Sequence, residues 1–147
     1  MSQFELTYQI NLTKEELWNC LFDKLNDWWP TDFYTHPKTK RFVIETKLSG
    51  KMYEDFEDGE GLIWGNVIGV DYPHSLQVRG MLSGEFGGPA ISYEKFSLSE
   101  HGEGSSVLKY RAEYIGDTGE KTITSLKTGW KDILENYLVP YCQKTVK

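Results

Sequence analysis

The chain has 147 residues, near the commonest size of one domain and long enough to bury a core without disulfide or metal staples. Its net charge is -6, from 22 acidic and 16 basic residues, which argues against a nucleic-acid partner; the basic run KTKR at 38–41 is too short to reverse that. No stretch approaches the roughly 18 apolar residues of a membrane span, and MSQFELTYQ lacks the basic-then-apolar order of a secretory signal. Cys20 and Cys142 lie in no CxxC or metal-ligand spacing, so a reducing, cytoplasmic setting is expected. Aromatic residues make up 14% of the chain, enough to fill a core or to line a pocket.

The first element is a half-buried strand over 4–10, where Phe4, Leu6, Tyr8 and Ile10 alternate with polar residues. Thr13 and Glu16 then form a capping box. Leu17, Trp18, Leu21 and Phe22 share one helical face, so a short helix runs to about 23. A second helical turn covers 25–29 and stops before Pro30. From 41 to 115 the spacing predicts a meander of about six antiparallel strands, at 42–46, 51–56, 62–72, 76–82, 91–98 and 107–115. Turn signals such as Glu57-Asp58-Gly59 and Gly87-Gly88-Pro89 separate them. After Gly119 a long helix carries Ile123, Leu126, Trp130, Ile133, Leu134, Tyr137 and Leu138 on one stripe, with Pro140 expected to end or kink it. Gly129 stands inside this helix at a propensity cost of about 1 kcal/mol, which predicts a close backbone approach or a large neighbour there. Strands and helices are segregated, and no linker, repeat or low-complexity segment divides the chain, so it reads as one α+β domain over 1–147.

Three stretches resemble a known family. They are Gly50-Lys51-Met52-Tyr53, the hairpin from Ile63-Trp64-Gly65-Asn66-Val67 to Pro73-His74-Ser75-Leu76, and Gly129-Trp130 followed by Leu134 and Tyr137. In order and spacing they are similar to the START-like (SRPBCC) domains, in particular the branch named after the activator of heat-shock protein 90 ATPase homologue. Ser75 stands where that branch often has an arginine. The resemblance implies a helix-grip fold, a curved antiparallel sheet wrapped around the long C-terminal helix. It also implies a cavity between sheet and helix, used in related domains for lipids, sterols, polyketides and other apolar molecules. The family name adds a possible chaperone partner, and cyclase- or hydrolase-type chemistry in the same cavity is a third reading.

Other chemistry finds little support. His36, His74 and His101 are far apart and in loops, so no metal site is expected. The acidic stretch at 54–60 fails as a calcium loop: with Gly59 at the glycine position, Phe56 and Gly65 fall where ligands are required. It reads as a solvated acidic hairpin. There is no G-x-S-x-G elbow and no phosphate loop, and no cofactor is expected. The candidate ligand-binding residues are Trp130 and Leu134 on the long helix, Trp64 and Tyr110 on strands, and Trp28 and Trp29 at the mouth. Glu94 shares a face with Phe96 and Leu98; turned inward it is costly unless paired, whereas an edge strand would expose it. Arg79 alternates with Leu76 and Val78 and points out. Plain packing is the alternative role for each of these aromatic side chains.

Overall fold

The computed structural model describes residues 2–145. Strand β1 (Ser2–Ile10) leads to α1 (Lys14–Trp18), whose capping box forms as the sequence predicts: Glu16 N–H donates to Thr13 Oγ1 at 3.2 Å and Thr13 N–H donates to Glu16 Oε1 at 2.8 Å. The helix loosens into a π-helical turn at Asn19–Asp23, and α2 (Leu25–Trp28) follows. Six strands come next: β2 (Arg41–Ile44), β3 (Lys51–Glu57), β4 (Glu60–Asp71), β5 (Ser75–Leu82), β6 (Ala90–Glu100) and β7 (Ser106–Gly116). The last segment is α3 (Glu120–Ile133), a π-helical turn (Leu134–Leu138) and α4 (Val139–Thr145).

All seven strands form one antiparallel sheet in the order β1-β7-β6-β5-β4-β3-β2. Hairpins connect the strands from β2 to β7, whereas β1 pairs with β7 across a long stretch of chain, Ser2 opposite Tyr114 and Ile10 opposite Ser106. Irregularities in register at Met52/Tyr53, Asp55/Glu57 and Val67/Gly69 fall in β3 and β4, where bulges increase twist and bend the sheet. The inner face so formed receives α3 and its continuation, which is the helix-grip arrangement.

Apolar alternation on the strands and the helical stripe meet in one core. Leu76, Val78, Leu108, Tyr110, Leu134 and Leu138 are fully buried there. Phe96 meets Phe22 edge-on at 5.4 Å and Tyr110 at 4.9 Å, geometries that add to the burial of the rings. Cys20 and Cys142, distant in sequence, meet in this core; burial, the charge of Cys20 and a hydrogen bond with it push the Cys142 thiol up to about 12.

Pro140 does not end the last helix. It sits in the first turn of α4, directly after the π-helical turn in which Val139 N–H donates to Leu134 O. The ladder changes register there, so the missing proline N–H falls where a first-turn donor would be unpaired in any case. Among the described residues no helix is long and apolar enough to cross a membrane.

Candidate functional site

The upper half of the C-terminal helix does not pack flush against the sheet. A cavity of about 250 Å³ lies between them. From α3, Leu126, Gly129, Trp130 and Ile133 form one wall. The sheet supplies Phe42 (β2), Met52 and Glu54 (β3), Trp64 (β4), Ser92 and Glu94 (β6) and Tyr114 (β7). Trp29 and Phe33, from the segment between α2 and β2, close a third side. Thr35, Met81 and Ser125 also line the cavity and are exposed, which places its mouth between the loop, β5 and α3.

Aromatic contacts hold the walls. Trp29 lies flat on Phe42, with centroids 4.1 Å apart and planes 4° from parallel, and meets Trp130 edge-on at 5.9 Å. Trp130 stacks on Tyr110 at 4.5 Å. It therefore packs on one face while lining the cavity, and does not plug it. The indole N–H of Trp29 is buried with no hydrogen-bond partner among the described residues, a cost of about 1–3 kcal/mol for such a group.

Two buried carboxylates bring the polar character. Glu94 is 4% exposed. Tyr110 O–H donates to its Oε1 at 2.5 Å and Ser92 O–H to its Oε2 at 2.7 Å. Burial pushes the Glu94 carboxyl above its usual range, and the two hydroxyl donors pull partly back. Burial, and secondarily the Glu94 charge, push Tyr110 and Tyr114 well up as well. The neighbour across the strand explains why Glu94 fits. A Cβ on Gly80 would stand 2.3 Å from Ser92 Oγ and 2.7 Å from Glu94 Oε2, so only a glycine on β5 leaves room for this pair. Arg79 is exposed on the opposite face and is no partner.

Glu54 corrects the expectation of a solvated acidic hairpin. It is 2% exposed and accepts four hydrogen bonds. Thr35 N–H (2.8 Å) and Thr39 O–H (2.7 Å) donate to Oε1, and Thr35 O–H (2.6 Å) and Trp64 Nε1–H (2.8 Å) donate to Oε2. This carboxylate pins the loop before β2 to the sheet and fixes the Trp64 ring in the cavity wall. The rest of the acidic stretch does turn at the surface, with Asp55 held by Arg41 at 2.8 Å. The signal for Glu54 was in the alternation: it follows Met52 by two residues and so shares its inward face.

Of the sequence candidates, Trp29, Trp64, Glu94 and Trp130 converge on the cavity. Tyr110 stands behind it as the donor to Glu94. Leu134 is fully buried below it in the packed core. Trp28 lies outside the lining, its indole N–H donating to Cys20 O at 2.8 Å. Gly129 admits no close backbone approach: its neighbour is Phe33, whose Cε1 would be 3.6 Å from an added Cβ. Besides Glu54, the lining includes Phe33, Phe42, Met52, Ser92 and Tyr114, which sequence reasoning did not single out.

No family model matches the sequence, and no curated protein does. Solved structures do match. Protein MLL2253 from Mesorhizobium loti is 16% identical, with 99% of each chain covered and a TM-score of 0.73. Ara h 8.0201 is 11% identical over 98% of this chain and 99% of its own, with a TM-score of 0.71. A point mutant of norcoclaurine synthase from Thalictrum flavum, in complex with a transition-state analogue, is 14% identical over 99% and 96% of the two chains, with a TM-score of 0.62. At these identities the likeness is one of architecture: the chain has the helix-grip fold.

Proposed function

We propose that the chain binds a small, largely apolar molecule in the cavity between sheet and C-terminal helix. The observation that carries this reading is the cavity itself, about 250 Å³ with aromatic walls and a few buried polar groups. Ligand pockets have this composition, and their volumes usually start at roughly 300 Å³. A cavity of about 150 Å³ holds benzene, so this one suits a molecule of about ten heavy atoms. The unpaired Trp29 N–H is a donor that a ligand oxygen can satisfy. Within the same fold, the norcoclaurine synthase structure carries a transition-state analogue, which supports small-molecule binding as a use of this architecture. Titration with an environment-sensitive apolar dye, with native mass spectrometry in parallel, tests the reading. The expected result is one saturable site with a dissociation constant on the order of micromolar. A protein that neither enhances the dye nor carries or takes up any small molecule contradicts it.

One observation favours a second reading, acid–base catalysis of cyclase or hydrolase type. Glu94 is buried in the cavity wall, its carboxyl raised by burial and paired to a tyrosine at 2.5 Å. Unchanged turnover of every substrate found after Glu94→Gln excludes it. The chaperone reading has no comparable residue-level feature to carry it, and we do not adopt it.

A further inference from the structure

The charge balance of the cavity walls narrows the ligand class. Glu54 and Glu94 both line the cavity, and among the described residues no Lys, Arg or His does. The two carboxylates differ in what they have left to offer. Glu54 accepts two hydrogen bonds on each oxygen, the full complement of a carboxylate. Glu94 accepts one on each oxygen, so each retains an acceptor position. Around them stand the rings of Trp29, Trp64 and Trp130, whose π-faces attract cations, most strongly where water is excluded.

We propose that the ligand is a small organic cation, an aromatic or alkyl amine whose ammonium group meets Glu94 while its apolar body lies against Trp29, Trp64 and Trp130; this rests on the ligand-binding reading above. An anionic ligand such as a short fatty acid would bring a negative charge to a wall that holds two carboxyl groups and no Lys, Arg or His among the described residues. A neutral ligand would offer the ionised form of Glu94 no counter-charge. An ammonium group supplies both the charge and the donors that Glu94 can still accept.

The groups facing Glu94 permit a pH signature. From β7 these are Tyr110 and Tyr114, both phenols held neutral by burial. Glu54 shares the cavity from β3, Arg79 on β5 points to the opposite face, and α3 presents only Ser125, Leu126, Gly129, Trp130 and Ile133. An ammonium group favours ionised Glu94, so amine affinity rises with pH as Glu94 titrates in the free protein. It falls again only when the amine itself loses its proton.

Three probes of nearly equal size and different charge test this: 3-phenylpropan-1-amine, 3-phenylpropan-1-ol and 3-phenylpropanoate, followed by quenching of the cavity tryptophans. The amine is expected to bind about tenfold or more tightly than the alcohol, as a charged hydrogen bond warrants, with the propanoate weakest. In Glu94→Gln the ratio of amine to alcohol affinity falls toward one. The wild-type series decides the question even if that variant folds poorly. Alcohol or propanoate binding as tightly as the amine overturns the cation proposal and leaves ligand binding standing. No quenching by any of the three overturns both.

Discussion

Glu94 is the residue on which chemistry and stability meet. Burial raises its carboxyl above the ordinary 4.5, against the pull of the Tyr110 and Ser92 hydroxyls. The folded chain therefore holds this proton to higher pH than the unfolded chain does. Between the two values the native state binds more protons, so stability is full below about 4.5 and declines as pH rises through the folded value. Glu94→Gln cannot ionise and removes that slope. Its melting temperature, compared with wild type, should shift in the variant's favour as pH is raised from about 4 to about 8. A difference that stays constant with pH assigns the slope elsewhere. Glu54 shows the other way to bury a carboxylate, with four donors in place of two. Its burial was readable from the alternation with Met52, but the run of acidic neighbours pointed to solvent. What settles the matter is the supply of donors by Thr35, Thr39 and Trp64, which come from a loop and another strand.

At the scale of elements, the C-terminal helix does two jobs along its length. Its lower part buries Leu134, Leu138 and Cys142 completely, while its upper part leaves the cavity open beside Leu126, Gly129 and Trp130. The stripe of apolar residues was legible because a 3.6-residue period survives in sequence. Which turns of the stripe pack and which line a hollow was not, since that depends on the distance to a sheet bent by bulges in β3 and β4. The stripe offers Leu134 as a wall residue, but in the structure Ile133 lines the cavity and Leu134 packs below it. Gly129 lies opposite Phe33 with room for a methyl group. Gly129→Ala should therefore gain about 1 kcal/mol of helix propensity. The check is the urea midpoint, expected to rise at an unchanged m-value. A lower midpoint would mean that Phe33 cannot accommodate the added carbon.

At the scale of the molecule, the order of strands, short helices and long helix was enough to anticipate a curved antiparallel sheet gripping a helix, because each element carries its own period and its own turn residues. The cavity was anticipated only through the resemblance to START-like domains. Its polar lining draws on Thr35, Glu54, Ser92, Glu94 and Tyr114, from a loop and three strands, and no linear motif joins them. Convergence of that kind is a property of sheet curvature and register, which sequence patterns encode weakly. A ligand held in this space is what the proposed function requires. Leu126, half-buried on α3, lines it beside the exposed Ser125. The most direct measurement compares the affinity of an apolar fluorescent dye for the wild-type chain and for Leu126→Trp, which fills the cavity near its mouth. Wild type is expected to bind, and the variant, with its melting transition intact, to bind at least about tenfold more weakly. Equal affinity in the two proteins would contradict it.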